Sequence, residues 1–313
     1  MGNKEQNFIS AVVYVHNAAD RIEQFLQTII NVLEENFSHS EIICVNDFSN
    51  DESLEVIKKV SKFAKQTTVS VLNMSYFHGM ETAMNAGVDI AIGDFVFEFD
   101  TTIQDFESEE ILKVYRKSLE GYDIVSASPD KKQKLTSSLF YYVFDKFTVS
   151  SYQFSTESFR ILSRRVINRI SSMNKTVPYR KAIYANCGLK TANIRYTVKS
   201  AEKKYKSDKT ENKYRKTLAT DTLILFTEVG FRFSMVMTAL MMLVAAFMAV
   251  YAVVIYLLSK PVAGWTTTIL FLALAFFGLF GILTIVIKYL QILVNLVFKR
   301  KRYSFESIEK LTK

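Results

Sequence analysis

Cysteine is almost missing from this chain. There are two in 313 residues, Cys44 and Cys187, far apart in sequence. A disulfide-stapled secreted scaffold is excluded, and no Cys/His cluster has the spacing of a metal or redox site. Cys44 lies inside an apolar, strand-like run and reads as a reduced core residue. Only 3 prolines and 10 glycines are present, which rules out a collagen-like or low-complexity chain. The phosphate-cradling glycine loops G-x-G-x-x-G and G-x-x-x-x-G-K are both absent. A nucleotide would therefore be held through carboxylates and a metal. Met1–Phe8 is polar and charged, unlike a secretory leader, and Gln6 breaks the myristoylation pattern.

Two long runs in the last third lack charge. Ser234–Leu258 and Val262–Ile287 contain no Asp, Glu, Lys, Arg or His, and only Ser259, Lys260 and Pro261 separate them. About 20 apolar helical residues cross a bilayer. The two runs therefore predict a helical hairpin in a membrane. A buried hairpin in a soluble protein is the competing reading, but soluble core helices seldom stay uncharged for so long. Arg195–Lys216 holds nine Lys/Arg against three acids, and Lys299-Arg300-Lys301-Arg302 follows the second run. Positive charge stays inside, so the soluble domain and both termini are expected in the cytoplasm, at the inner or plasma membrane. The net charge of +8 sits largely in these flanks and suits anionic lipid or phosphate rather than nucleic acid. The organisation expected is 1–195, a soluble domain; 196–233, basic juxtamembrane and interfacial helices; 234–287, two membrane helices; and 288–313, a basic cytoplasmic tail. Phe298–Tyr303 is expected to rest on headgroups, and Thr217–Phe231 to lie along the bilayer as an amphipathic helix.

The soluble part alternates. Apolar, β-branched runs at Phe8–Val15, Glu41–Val45, Thr68–Leu72, Phe95–Phe99 and Asp123–Ala127 predict strands. Helical periodicity marks Ala18–Glu35, Asp51–Ala64, Gly79–Ile92 and Ser108–Leu119. This predicts an α/β fold with a mostly parallel sheet between helices. Ligands in such folds sit beyond the carboxyl ends of the strands. The loops to read are therefore His16–Asp20, Asn46–Ser53, Met74–Gly79 and Asp100–Phe106. Asp51 reads as a helix cap. Asp47 stands at a strand end, where a ligand would lie. Asp100, Thr102 and Gln104 fall on one side of an extended segment, and such oxygen donors suit Mg²⁺ or Mn²⁺ shared with a substrate phosphate.

The order of these segments resembles family 2 glycosyltransferases of the GT-A fold. More narrowly, it resembles polyprenyl-phosphate glycosyltransferases related to dolichol-phosphate mannose synthase and bacterial glucosyl carrier-lipid enzymes. The resemblance is carried by Ser10–Asn17, the Val45–Ser53 loop, Asn85-Ala86-Gly87, Gly93-Asp94 and Phe99–Asp105 (FDTTIQD). Ser158–Leu162 with Ser163-Arg164-Arg165, Asn212-Lys213-Tyr214, Gly264-Trp265-Thr266 and Lys288-Tyr289-Leu290 extend it. It implies inverting transfer of a sugar from a UDP- or GDP-sugar to a polyprenyl phosphate, for cell-envelope glycan or glycoconjugate synthesis. It implies catalytic roles for Asp100 and Arg160. Nucleotide-sugar contacts would come from Val15, Asn17, Asp47, Ser49, Gly79, Asn85 and Asp100. The metal, Mg²⁺ or Mn²⁺, would be held by Asp100 and Gln104, with Thr102 a weak ligand. The lipid phosphate would meet Arg160, Lys213, Arg215 and Arg232.

Five positions depart from the family pattern: Ala18, Asn46, Met80, Thr102 and Ser158. A phosphate acceptor needs no general base, because its second pKa is about 6, so serine at 158 is tolerable. Two other readings remain open. A processive polysaccharide synthase is disfavoured because the single tryptophan is Trp265, at the membrane. A catalytically weakened relative that binds lipid or a partner is favoured by the altered positions. A homo-oligomer could pack through Gly278 and Gly281.

Overall fold

The strands of the first half are largely buried because helices cover both faces. The computed structural model describes residues 4–130, 157–172, 180–198, 265–298, 305–312 and scattered residues between 213 and 247. β1 (Ile9–Val15) is buried at all seven positions. Ile9, Ala11, Val13 and Val15 belong to one side of the core, Val12 and Tyr14 to the other. That is the two-residue period of a strand sandwiched between helical layers.

The remaining elements are α1 (Ile22–Asn36), β2 (Ser40–Asn46), α2 (Ser53–Ser61), β3 (Thr68–Met74), α3 (Met80–Ile90), β4 (Phe95–Phe99), α4 (Glu109–Leu119), β5 (Ile124–Pro129), β6 (Phe159–Ser163), α5 (Arg164–Ser172), α6 (Arg180–Asn186), β7 (Thr191–Tyr196), α7 (Trp265–Phe298) and β8 (Phe305–Lys310). The strands form one sheet in the order β7-β5-β6-β4-β1-β2-β3-β8. β4, β1, β2 and β3 run parallel, as do β5 and β7, while β6 is antiparallel to both β4 and β5. The expected mostly parallel sheet is present, with β6 and β8 reversed.

One helical layer contains α1, α2 and α4. The α1 residues Ile22, Phe25, Leu26, Ile29, Ile30 and Leu33 form one buried stripe, the three-and-four spacing of an amphipathic helix. The other layer contains α3 and α5, through Ala83, Met84, Ala86, Val166 and Ile167. A Cβ on Gly87 would collide with Val12 and Val45 side chains, so glycine there sets how closely α3 approaches the sheet. That approach fixes where the amino end of α3 meets the strand ends.

The carboxyl-terminal segment differs from the expected tail. α7 runs 34 residues without a break, past Ile287 to Phe298, because Tyr289–Phe298 contains no glycine or proline to stop it. Lys288, inside that extension, pairs with Asp221 at 3.2 Å. β8 then joins the sheet antiparallel to β3. Its pairing covers the backbone edge that β3 would otherwise expose. Asn73 Nδ2 donates to Ser307 Oγ and Glu309 Oε1, both at 3.1 Å, and Val69 N donates to Thr312 Oγ1 at 2.8 Å.

The chain divides into two compact units. One comprises 1–145, 150–218 and 300–313, the other 146–149 and 219–299. Most of the expected interfacial helix and of the first apolar run lies outside the described residues. Those described between 236 and 247 are helical. Among the described residues no helix is long and apolar enough to cross a membrane; side chains are described for only part of α7. A Cβ on Gly278 would collide with Met241 of the same chain, while among the described residues nothing lies within 4 Å of one on Gly281.

Candidate functional site

The parallel strands β1, β2, β3 and β4 end on one side of the sheet, and their loops are stitched together by hydrogen bonds. Asn17 adopts φ +46°. Its N donates to Ser49 Oγ at 3.1 Å, and its Oδ1 accepts from Asn50 N at 2.9 Å. Ala18 N donates to Ser53 Oγ at 2.8 Å and Ala19 N to Asp51 Oδ2 at 3.0 Å. Asp51 Oδ1 also accepts from Ser53 N at the start of α2. Ala18 is buried at this junction, which leaves no exposed position for an acid. Val15 ends β1, and its carbonyl accepts from Asp47 N at 2.8 Å.

Asp47 is fully buried. Its Oδ1 accepts from His78 N at 2.8 Å, and its Oδ2 from Gly79 N at 2.9 Å and Tyr14 Oη at 3.1 Å. Burial pushes its carboxyl above the ordinary value, and the three donors and His16 only partly offset that. Because a carbonyl can only accept, the His16 Nδ1 lying 2.7 Å from Asp47 O carries the proton. Asp47 therefore organises the 75–79 turn at the amino end of α3. Gly79 has φ +83°, and a Cβ there would collide with the Tyr214 ring. Tyr214 also meets Phe77 edge-on with ring centroids 5.9 Å apart. The 213–214 segment is thereby seated on the strand ends. Asn85 is half-buried on α3, and Lys213 is exposed. Arg215 and Arg232 lie outside the described residues.

Asn46 has a structural reason. Its Nδ2 donates to Asn73 Oδ1 at 3.0 Å while its Oδ1 accepts from Ser49 N at 3.2 Å. Asn73 in turn donates to Ser307 and Glu309 of β8. The donor direction runs from Asn46 to Glu309, and an aspartate at 46 has no N–H to start it. Met80 packs against the α3 side of the core. Ser158 Oγ lies 2.5 Å from Tyr196 Oη, which is 2.7 Å from Asp105 Oδ1. An acid at 158 would set a second carboxylate on the same phenol.

A buried ion cluster lies at the end of β4. β6 pairs with β4 so that Arg160 stands opposite Glu98. Arg160 donates from Nε to Glu157 at 3.0 Å, from Nη1 to Glu98 at 2.8 Å and from Nη2 to Asp100 at 2.6 Å. Arg180, from α6, donates from Nε to Glu81 at 3.0 Å, from Nη1 to Glu98 at 2.6 Å and from Nη2 to Asp100 at 2.6 Å. Both guanidinium side chains are 1% exposed. Tyr184 Oη donates to Glu98 at 2.8 Å, and Lys181 reaches Glu157 at 3.6 Å. Burial pushes the Asp100 carboxyl up, but Arg160 and Arg180 outweigh it and hold the group well below the usual carboxylate range. Glu81 Oε1 has no partner among the described residues.

The three expected metal donors do not converge. Both Asp100 oxygens take guanidinium N–H groups. Thr102 Oγ1 accepts from Arg21 Nε at 2.9 Å. Gln104 turns to α1, where its Oε1 accepts from Thr28 Oγ1 at 3.0 Å. Among the described residues no three His, Cys, Asp or Glu side chains could hold a metal together. Among the described residues, this donor set does not fit a divalent cation. Arg160, expected at a lipid phosphate, is instead committed to three carboxylates.

Sequence reasoning missed Arg180, Glu98, Glu157 and Tyr184. One signal was available: Glu98 in FVFEF and Arg160 in FRILS are lone charges in apolar strands, and buried charges need partners.

Residues 10–172, more than half of the chain, match the family model described as glycosyl transferase family 2. An uncharacterized glycosyltransferase of Synechocystis, sll0501, is 31% identical over 186 residues, covering 58% of each chain. A prophage bactoprenol glucosyl transferase homolog of Escherichia coli is 28% identical over 194 residues, covering 60% of this chain and 62% of that one. The similarity thus spans about three fifths of each relative. Glucosyl-3-phosphoglycerate synthase from Mycobacterium tuberculosis, solved with Mn²⁺, uridine diphosphate and phosphoglyceric acid, superposes with a TM-score of 0.49 at 12% identity, over 70% of this chain and 76% of that one. With a mostly parallel mixed sheet between helices and the family model matched across its core, this chain belongs to glycosyl transferase family 2.

Proposed function

We propose that this protein moves a sugar, with inversion, from a nucleotide-sugar to a polyprenyl phosphate at the cytoplasmic face of a membrane. The observation that carries the reading is the seating of Tyr214 on Gly79. It brings residues 213–214, within the basic stretch that precedes the apolar runs in sequence, onto the strand ends, where this family's sugar donors are expected. The name of the bactoprenol glucosyl transferase homolog supports the acceptor class.

In the step proposed, a phosphate oxygen of the lipid attacks the sugar's anomeric carbon. The carbon–oxygen bond to the nucleoside diphosphate breaks as the new one forms, and the nucleoside diphosphate leaves with the electron pair. The attacking oxygen is already ionised near neutral pH, so no side chain has to remove a proton. Asp47 fixes the turn at α3, and the bonded loops of Asn17, Ser49 and Asp51 fix the nucleotide side. Lys213 and the basic residues beside it draw the lipid phosphate.

Membrane anchoring belongs to the same proposal. α7, at about 1.5 Å per residue, is longer than the roughly 30 Å of bilayer hydrocarbon. Leu272, Phe276, Leu279, Leu283 and Val286 are exposed along it. Two spans would leave both ends of the chain in the cytoplasm. A reporter fused after Lys313 should be cytoplasmic, and labelling of it only from outside the cell would refute the two-span arrangement.

The acceptor tests the function. Transfer should require a polyprenyl phosphate, and the matching polyprenol should be inert. Equal transfer to both would sink the carrier-lipid assignment. A second reading, a weakened relative that binds without turnover, is favoured by the closed Asp100 cluster. It becomes the better account if a folded, membrane-inserted protein transfers nothing.

A further inference from the structure

We infer that the strand end around Asp100 is closed to divalent cations, and that this chain binds its nucleoside diphosphate without one. Asp100 serves instead as the counter-ion that positions Arg160 and Arg180. The inference deepens the nucleotide-sugar reading and concerns the same site.

Three observations converge. First, each Asp100 oxygen holds a guanidinium N–H at 2.6 Å. A carboxylate oxygen has further lone-pair capacity, but a dication bound through it would sit beside two fixed positive charges in a buried site, where repulsion is poorly screened. Second, the other donors are spent elsewhere. Thr102 replaces the second acid of the family motif and accepts from Arg21, and Gln104 accepts from Thr28 on α1. Third, the carboxylates nearest Asp100 are committed to the same cations. Glu98 takes both guanidinium groups and Tyr184 Oη, and Glu157 takes Arg160 and Lys181. Hard cations such as Mg²⁺ and Mn²⁺ are held by oxygen donors that can turn toward them. Here each expected donor faces another partner.

Asp100 has work to do without a metal: it ties β4, β6 and α6 together at one point.

The test uses the full chain in detergent or nanodiscs, with Mn²⁺ itself as the probe. Mn²⁺ is titrated with paramagnetic-resonance detection of the free ion, with and without UDP or GDP. Binding of UDP and GDP is measured by calorimetry with and without EDTA. The expected result is no protein-dependent loss of the free Mn²⁺ signal, and nucleotide affinity unchanged within about twofold by EDTA. Stoichiometric Mn²⁺ binding that Asp100→Asn abolishes would overturn the inference, as would a tenfold or greater loss of nucleotide affinity in EDTA. If neither nucleotide binds, the nucleotide-sugar reading fails, and the Mn²⁺ titration alone still decides whether the strand end takes a cation. If sugar is transferred and chelation stops it, the inference falls while the proposed function stands.

Discussion

Arg180→Met should destabilise the unit that holds the sheet by about 3–5 kcal/mol, the usual consequence of removing one partner from a buried ion pair. The side chain holds Glu81, Glu98 and Asp100. Its loss leaves carboxylates with too little positive charge in a site where Arg160 and Glu98 are at most 1% exposed and Asp100 only 10%. Arg180→Lys should cost less but not nothing. A lysine keeps the charge and loses the planar fork that serves three carboxylates at once. Thermal or denaturant unfolding of the detergent-solubilised chain reads both. A cost below about 1 kcal/mol for the methionine variant would mean the pairs behave as exposed ones.

The same cluster sets an acid limit. Asp100 is held below its ordinary value by Arg160 and Arg180 against the upward push of burial. In the window below the unfolded carboxylate's pKa of about 3.9, the unfolded chain binds the extra proton. The cluster's stabilisation is therefore full above that value and declines as pH falls toward the depressed native pKa. Arg180→Met should flatten this decline.

Asp47→Asn should have the second large effect. The aspartate accepts from two backbone N–H groups and a tyrosine hydroxyl at a fully buried position. An amide turns one acceptor into a donor that faces a donor. An unsatisfied buried polar group costs about 1–3 kcal/mol, and the turn that shapes the amino end of α3 must shift to relieve it. The donor-sugar KM should then rise about tenfold or more while the lipid KM holds nearly constant, a loss of uniform binding on the nucleotide side. Equal rises in both would place Asp47 in general folding rather than in donor binding.

Much of the architecture was legible because it follows from local pattern alone. The continuous apolar, β-branched run of β1 and the three-and-four spacing of α1 need no partner to be read. The carboxyl half of the sheet-bearing unit was not. β6 is short and interrupted by a charge whose partners include a distant one: Arg160 makes sense only opposite Glu98, 62 positions earlier. β8 follows a long apolar helix and joins the sheet through Asn73, 234 positions before Ser307. The site divides the same way. Strand-end loops could be located from the fold class, so Asn17, Asp47, Ser49 and Gly79 do come together. Which way a side chain turns could not. Asp100, Thr102 and Gln104 share a short extended segment, yet they face the Arg160–Arg180 pair, Arg21 and Thr28 respectively.

The most direct measurement follows a labelled sugar. Membranes carrying the chain are supplied with polyprenyl phosphate and a panel of UDP- and GDP-sugars, each labelled in the sugar. The account predicts that one donor places its label in the organic phase as an acid-labile lipid phosphate ester, and that Asp47→Asn membranes with equal protein content fall far below that level. Label that never enters the lipid from any donor, with the protein folded and inserted, would contradict it.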